Sequence, residues 1–270
     1  MPWDERALVF APNVHKALWG GESWEISVHP DGPGVVASGP LAGRSLRELE
    51  PDFSLLVKVI DARTRLSVQV HPNELTRLVT GGEAKTELWC LLSDGFIYAG
   101  LKPGTSPSDI EAAIHDGSFE RLMVRHDVKK GDVFFIPGGL VHSIGDGTCI
   151  YEVQQNSNTT FRLYDWNRVG ADGKPRTLHL DQARTAIDYT LPPPEAVERV
   201  TCPFFSFSRE RIDGSLRIGG AHCTALYAFR GSFSLGGKVY GEGSSVLVRA
   251  GDDFDISGDG AEVLVTSARP

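Results

Sequence analysis

The amino-acid sequence predicts an all-β protein of two barrels or sandwiches in tandem, with a few short helices. The chain has 270 residues with 30 glycines and 16 prolines, which separate many short runs of β-branched and aromatic residues. Short strands at this spacing are typical of barrels and sandwiches. A stretch near the C-terminus also matches one in the middle of the chain, which indicates a duplicated barrel half or a tandem barrel.

The predicted strands are nine runs: SLLVKVID, RLSVQVHP, ELWCLL, GFIYAGL, DVFFIPG, CIYEVQQ, ALYAFRG, SSVLVRA and AEVLVTS. The main predicted helix covers residues 106–124, with Ser106 or Ser108 as its cap and a break near Gly117. A second short helix is predicted over 45–50, and NELTRLVTGGEAK has room for one more turn.

A proline-rich stretch, DYTLPPPEAVERVTCP, predicts a linker because consecutive prolines stop regular structure. It divides the chain into an N-terminal barrel at 1–190 and a degenerate C-terminal β domain at 197–270. Residues 131–153 align without gaps on residues 244–266, with GDG in both copies. His142 falls on Asp255 in this alignment, so we expect chemistry only in the first barrel.

Composition excludes several classes of partner. The net charge is −8 and no run of Lys or Arg occurs, which disfavours nucleic acid and anionic membranes but not a small anionic substrate. No apolar run reaches the roughly 18 residues of a spanning helix, and the N-terminus lacks the pattern of a signal peptide. The four cysteines lack CxxC spacing, which favours reduced thiols in the cytoplasm.

A histidine motif lies in the run GDVFFIPGGLVH. Pro137 and Gly139 predict a tight turn that lets His142 point back into the barrel. The spacing of Gly131, Pro137, Gly139 and His142 resembles the second motif of the cupin family. The resemblance implies a cupin barrel.

Three further side chains complete a candidate metal site. In SVQVHPNE, Gln69 and His71 lie two residues apart, and alternate residues of a strand share a face. Glu87 lies in the apolar run KTELW, where a buried carboxylate needs a cation. With His142 these groups suit zinc with an open position. The structural alternatives are histidines bonded to backbone, an edge-strand carboxylate and an amide bonded to its neighbours.

Two basic side chains near this set are candidates for catalysis. Lys85 shares a face with Glu87, and a desolvated lysine beside a cation can have its pKa lowered toward neutrality and transfer protons. Arg162 follows the strand that leaves the histidine turn, where a guanidinium can neutralise an oxyanion. The alternatives are a solvated lysine, and an arginine paired with Asp165 or Glu152.

An anion subsite is also indicated. Lys58 in LLVKVID has apolar neighbours on both sides, which suggests that its ammonium meets a specific partner such as a phosphate. Ser67 shares a face with Gln69 and His71, so its hydroxyl could join Lys58 on the same anion.

Five stretches carry a wider resemblance: LWGGESWEISVHPDG, LLVKVIDARTRLSVQVHPNE, KTELWCLL, FIPGGLVHSIG and QQNSNTTFRLYDWNR. In this order they resemble type I mannose-6-phosphate isomerases, particularly the short bacterial bicupin subgroup. The resemblance covers roughly residues 8 to 170, and the C-terminal third matches only in its barrel-like pattern. Glu74 after HPN and the absence of a long helical insertion depart from many members.

The resemblance implies a zinc-dependent aldose-ketose isomerase that interconverts mannose 6-phosphate and fructose 6-phosphate through an enediol or enediolate. It implies one Zn²⁺ per chain on His71, Glu87 and His142, with Gln69 as a fourth ligand in many members. It implies Arg162 as the catalytic arginine and Lys85 as an acid/base group. The residues implied on the substrate side are Lys58, Ser67, Trp19 and Glu22.

Several alternatives stay open at this point. The WGGE stretch that contains Trp19 and Glu22 could be a packed aromatic followed by a glycine turn. The chain could be a non-catalytic sugar-binding bicupin, although Arg162 and Lys85 would then have no evident role. It could also be an iron-dependent cupin oxygenase or epimerase, against which Gln69 argues. The expected partner is a small sugar phosphate, and monomer and weak homodimer are both open.

Overall fold

A computed structural model describes residues 1–170 and 173–269. They divide into two compact units. We call His15–Glu22 and Val59–Val197 the central unit, and Met1–Val14, Ser23–Lys58 and Glu198–Pro270 the flanking unit. The sequence-based division at 1–190 and 197–270 stays a prediction, and the two units differ from it in that most of the first 58 residues group with the C-terminal residues.

The described residues form mainly strands, which confirms the all-β prediction. In chain order the strands are β1 Ala7–Leu8, β2 Val14–Ala17, β3 Gly20–Ser27, β4 Leu55–Ala62, β5 Val68–Val70, β6 Glu87–Leu91, β7 Gly95–Leu101, β8 Met123–Val128, β9 Val133–Ile136, β10 His142–Ile144, β11 Thr148–Gln155, β12 Phe161–Tyr164, β13 Arg199–Thr201, β14 Phe205–Ile218, β15 Thr224–Arg230, β16 Phe233–Leu235, β17 Lys238–Tyr240, β18 Ser245–Val248 and β19 Phe254–Ala268. Each of the nine predicted runs contains all or part of a strand.

The helices are short, as predicted. They are α1 Trp3–Arg6, α2 Leu46–Leu49, α3 Arg77–Thr80, α4 Pro107–Asp116 and α5 Leu180–Ala186, with a 3₁₀ turn at Phe119–Leu122. The Ser106 side chain accepts from the Asp109 N–H, and Asp109 accepts from the Ser106 N–H. The helix ends at Gly117, which has a φ of 75°. The sequence pattern had not indicated α1 or α5.

Two sheets of the central unit enclose its inner core. One has the strand order β12-β5-β10-β7-β8, and the other contains β11, β6 and β9 paired in that order. Side chains from both sheets, such as Ile97, Trp89 and Ile136, form the inner core. Val68 and Val70 of β5 instead pack against α4 and α5 on the outer face. Because side chains alternate along β5, Gln69 faces the space between the sheets.

The flanking unit contains a sheet with the order β1-β18-β15-β19-β14-β13, to which β16 and β17 are attached. The internal repeat is visible in its backbone: Gly147 and its aligned partner Gly260 have φ of 70° and 68°. The second copy contains β18 and most of β19, and its residues that align with β10 and β11 lie in the one continuous strand β19 rather than in two strands. Asp255, which aligns with His142, forms an ion pair with Arg217 at 2.8 Å.

Two further expectations concern the surroundings of the protein. No helix in the described parts of the chain is long and apolar enough to cross a membrane. None of the four cysteines, all within the described residues, forms a disulfide. The reduced state of the thiols and the cytoplasmic location stay predictions.

The WGGE stretch contains a position that only glycine can occupy. Gly20 has a φ of 144°, and a Cβ there would lie 2.0 Å from the Asp61 carbonyl oxygen. Trp19 beside it is 9% exposed and belongs to the inner core of the central unit. The stretch therefore has the structural role of a packed aromatic and a glycine at a close backbone approach.

We expect Gly20→Ala to lower the thermal unfolding midpoint strongly, because the methyl group forces β3 away from the backbone near Asp61. The matched control is Gly147→Ala, where φ is 70° but no atom lies within 4 Å of the added carbon. The control should lose only the roughly 1–2 kcal/mol of left-handed strain. Circular dichroism melts of both variants make the comparison, and equal midpoints would contradict the close approach.

Candidate metal centre and active site

His71 and His142 are delivered by neighbouring strands of the central unit. His71 follows β5 directly, and Gln69 of β5 is paired in register with His142 of β10. The Gly139 N–H donates to the His71 carbonyl at 2.8 Å, which ties the two segments together. Gly138 must be glycine because a Cβ there would lie 2.7 Å from the Pro72 carbonyl oxygen. The Pro-Gly-Gly turn thus brings both histidines to one place, as the cupin spacing predicted.

Glu87 reaches the same place from the opposite sheet. It is the first residue of β6 and is paired with Gln154 of β11 and Ile136 of β9. The Lys85 N–H donates to the Pro72 carbonyl at 3.0 Å, so the segment before β6 is fixed to the residue after His71. Glu87 has no exposed surface.

The three side chains converge closely enough to hold one ion. One potential ligand atom from each of His71, Glu87 and His142 lies within 4.8 Å of the other two. His71 Nε2 is 3.1 Å from Glu87 Oε1 and 3.1 Å from His142 Nε2. His142 Nε2 is 3.7 Å from Glu87 Oε2. The sequence-based choice of these three residues as neighbours therefore agrees with the geometry.

The tautomers of the two histidines fit a cation. His71 Nδ1 lies 2.8 Å from the Thr159 carbonyl, and His142 Nδ1 lies 2.8 Å from the Leu140 carbonyl. A carbonyl oxygen only accepts, so each Nδ1 carries the hydrogen and each Nε2 presents a lone pair. Two lone pairs and a carboxylate then face one another in a buried space. This donor set matches zinc, including the backbone carbonyls that orient metal-binding histidines.

The pKa values of these groups favour the states that bind metal. Burial, aided by the positive charge of Lys85, lowers the pKa of His71 to about 3. Burial likewise lowers the pKa of His142. Burial by itself would raise the pKa of Glu87, but the charge of Lys85 and the interactions with His71 and His142 together outweigh it and hold that pKa well below its usual range. Both imidazoles are therefore neutral at pH 7, and Glu87 is ionised.

Lys85 lies beside Glu87 and His71, and the side chains around it raise its pKa. Its Nζ is 2.5 Å from Glu87 Oε1 and 3.3 Å from His71 Nε2. Burial alone would lower the pKa of Lys85, whereas the charges of Glu87 and Glu152 raise it above the usual value. The buried carboxylate stabilises the ammonium form. The shift toward neutrality was predicted for a lysine beside a bound cation, and it stays a prediction.

Gln69 lies beside the three ligands with its amide nitrogen toward them. Its Nε2 is 3.3 Å from His142 Nε2, while its Oε1 accepts from the Ser67 hydroxyl at 3.5 Å. A nitrogen that only donates cannot bind a cation. A ligand role for Gln69 needs the amide to turn over, and it stays a prediction.

Arg162 belongs to the same row of side chains as the ligands. It is paired in register with Gln69, which is paired with His142 on the next strand. Its Nε donates to the Ser67 hydroxyl at 3.3 Å and its Nη1 to the Thr177 carbonyl at 2.8 Å. Burial lowers its pKa. The row therefore presents a half-buried guanidinium to the inner space, next to a buried hydroxyl.

The alternative partner of Arg162, the Asp165 carboxylate, is already occupied. Arg176 donates to both of its oxygens, at 2.6 and 2.7 Å, and Arg168 lies 3.4 Å away. Within residues 1–170 and 173–269, Arg162 forms no ion pair closer than 4 Å. Arg176 was not identified from the sequence, since it follows a loop without a strand or helix pattern.

The remaining predicted residues lie at different places. Lys58 is buried in the flanking unit, where its ammonium lies 5.2 Å from the centre of the Trp24 ring. Trp19 packs in the core, as described above. Glu22 is in the central unit, and its charge acts on Lys85. The substrate-binding roles of these side chains stay predictions.

Sequence reasoning missed several buried polar groups of β11 and β6. From the sequence, Trp89 and Gln154 were assigned only to strands. Glu152 was considered only as an ion-pair partner of Arg162. Glu152 is 3% exposed and Gln154 is fully buried. Their alternation in CIYEVQQ, opposite ELWCLL, was the signal that could have placed them on the inner face with Glu87.

A further cavity of about 340 Å³ lies in the central unit. It is lined by the segments 101–105, 139–141 and 187–193. None of the predicted site residues lines it.

The chain is similar to bacterial mannose-6-phosphate isomerases. It is 32% identical over 254 residues to the mannose-6-phosphate isomerase of Streptococcus mutans, with 78% of this chain and 80% of the relative covered. It is 34% identical over 256 residues to ManA of Bacillus subtilis, covering 78% and 81%. The crystal structure of the Bacillus subtilis mannose 6-phosphate isomerase matches with a TM-score of 0.84 at 25% identity, over 97% of this chain and 99% of that one. No protein-family model matches the chain.

We expect Glu87→Gln to destabilise the metal-free protein by about 3–5 kcal/mol, because the buried Lys85 ammonium loses its ion-pair partner. The double variant Glu87→Gln/Lys85→Met should recover much of this loss. Urea denaturation in the presence of a chelator measures both. Asp94→Asn, which breaks an exposed pair with Lys129, is the control and should change little. A Glu87→Gln variant as stable as the control would contradict the buried pair.

Proposed function

Because the chain belongs to the mannose-6-phosphate isomerase family, we propose that it interconverts mannose 6-phosphate and fructose 6-phosphate with one zinc ion per chain. The resemblance seen in the sequence is confirmed by the relatives. The observation that carries the site is the convergence of His71, Glu87 and His142 within 4.8 Å in a buried space. Family membership also disfavours a bicupin that only binds sugars.

His71, Glu87 and His142 would hold the ion, with Gln69 as a fourth ligand once its oxygen is turned inward. Two neutral imidazoles and one carboxylate leave a position for a substrate oxygen. A zinc ion held by these side chains would act as a Lewis acid that polarises the sugar oxygens. The backbone carbonyls of Thr159 and Leu140 hold the imidazoles in the required tautomers.

The reaction moves a proton between C1 and C2 of the opened sugar, and negative charge develops on an oxygen of the enediolate. Arg162 keeps its charge at any working pH and is positioned in the row next to Gln69, so it would stabilise that oxygen. The Ser67 hydroxyl accepts from its Nε and fixes the guanidinium.

Lys85 is proposed to act as an acid. Its Nζ lies 3.3 Å from His71 Nε2 and 2.5 Å from Glu87 Oε1, so its ammonium is beside the proposed ligands and would give a proton to a substrate oxygen there. Glu22, whose charge acts on Lys85, is the carboxylate candidate for the base. Assigning the two roles to different groups avoids the need for a neutral Lys85.

Ser67 and Lys58 are proposed to bind the phosphate, which lies remote from the reacting carbons. Binding energy gathered there would orient C1 and C2 without contacting them. Ser67 is buried at the edge of the ligand row, which supports its part of the proposal. For Lys58 the support is its burial as a cation and the family resemblance.

We expect the purified protein to convert mannose 6-phosphate to fructose 6-phosphate in a coupled assay, to lose this activity with a chelator and to regain it with zinc. Metal analysis should give one zinc ion per chain, because one three-residue site is formed by the described residues. Full turnover by metal-free protein would refute the role of the ion.

We expect Arg162→Ala to lower kcat by about 100-fold or more, because the oxyanion loses its charged partner. Zinc content should stay near one per chain, since Arg162 is not a ligand. Arg121→Ala removes an exposed arginine of the same unit and serves as the control. Loss of zinc from the Arg162→Ala protein would show instead that the arginine supports the fold of the site.

A further inference from the structure

The indole N–H of Trp89 lies between two buried carboxylates. Nε1 donates to Glu87 Oε2 at 3.1 Å and to Glu152 Oε1 at 3.0 Å. Trp89 and Glu87 have no exposed surface, and Glu152 is 3% exposed. One donor is thus shared by a candidate metal ligand and by a second carboxylate that the proposed reaction does not use.

Strand register explains why these groups meet. Trp89 of β6 is paired with Glu152 of β11, and Glu87 is paired with Gln154. All four side chains therefore point into the space between the two sheets. The Trp89 ring also packs edge-on against the His142 ring, with centroids 5.2 Å apart and planes at 81°. Trp89 contacts two of the three candidate ligands at once.

The carboxylate of a glutamate is poorly fixed by its own torsions, since the last side-chain torsion has broad minima. A metal site built on Glu87 therefore needs an external restraint on the rotation of that group. The Trp89 N–H supplies one by engaging Oε2. The other oxygen, Oε1, is then held toward His71 Nε2, at 3.1 Å.

Glu152 restrains the donor in turn. An indole N–H is donor only, and two acceptors on opposite partners keep it in one orientation. Moving the N–H toward either carboxylate would leave the other with a weaker bond in a low-dielectric space, where the loss is large. Glu152, Trp89 and Glu87 form one chain of hydrogen bonds that ends at the candidate metal centre.

We propose that Trp89 is a positioning residue for the metal centre: its N–H fixes the rotation of the Glu87 carboxylate through the bridge to Glu152, so that Oε1 is presented to the ion beside His71. This inference rests on the proposed zinc site. It assigns to Trp89 a role in metal affinity rather than contact with substrate. Outer partners of this kind are worth about 10- to 100-fold in metal affinity.

The experiment distinguishes the effect of the Trp89 N–H from the effect of its ring. Trp89→Phe removes the N–H and part of the ring, whereas β-(3-benzothienyl)alanine at position 89 keeps the bicyclic shape and replaces only N–H by sulfur. Zinc affinity is measured by competition with a chromophoric chelator at fixed pH. Thermal melts of the metal-free forms report folding. Trp3→Phe, in the flanking unit, is the control for loss of an indole elsewhere.

We expect both changes at position 89 to weaken zinc binding by about 10- to 100-fold, while Trp3→Phe binds zinc like the unsubstituted chain. If Trp89→Phe does not fold, the benzothienyl protein still decides the matter, because it preserves the packing. A benzothienyl protein with unchanged zinc affinity would overturn the inference and leave Trp89 as a packing residue.

The same measurements distinguish this inference from the proposed function. If the unsubstituted chain binds zinc but does not turn over mannose 6-phosphate, the proposed reaction fails, and the affinity comparison at position 89 still stands. If the unsubstituted chain is active and all variants bind zinc equally, only the role of Trp89 fails. An unsubstituted chain that binds no zinc would overturn both.

Discussion

The central unit depends on one constraint. Two imidazole lone pairs and a carboxylate face one another in a buried space. The Nε2 atoms of His71 and His142 are only 3.1 Å apart, and their Nδ1 hydrogens are committed to backbone carbonyls. Such a set of acceptors is unfavourable in a low-dielectric interior unless a cation compensates for it. The Lys85 ammonium compensates for part of this negative potential. The acceptor atoms that it leaves without a donor suit the site to a divalent ion.

Much of the arrangement is readable from the sequence because strands have a period of two. The alternation in SVQVHPNE put Gln69 and His71 on one face, and the outward packing of Val68 and Val70 agrees with it. The Pro-Gly-Gly turn was predictable because proline and glycine favour tight turns, whereas the close approach of Gly138 to the Pro72 carbonyl is seen only in the structure. Helix caps such as Ser106 depend on local hydrogen bonds and were therefore also predictable from the sequence.

Other features depend on partners that no local pattern encodes. The tautomers are set by the carbonyls of Thr159 and Leu140, and every residue type has a carbonyl. The pKa of Lys85 rises because Glu87 lies at 2.5 Å, a distance that only the packing of two sheets determines. The bridge from Trp89 to Glu152 needs the register of β6 and β11. The grouping of most of the first 58 residues with the flanking unit likewise depends on contacts distant in sequence.

The internal repeat separates the scaffold from its chemistry. Gly147 and Gly260 keep nearly the same left-handed backbone, yet the second copy has Asp255, paired with Arg217, where the first has a histidine. The left-handed glycine therefore persists in a copy that carries no imidazole at position 255, although the chain there continues as one strand. By the same reasoning the backbone at Gly147 owes its left-handed conformation to glycine rather than to a bound ion, so loading or exchange of an ion leaves this part of the chain undisturbed.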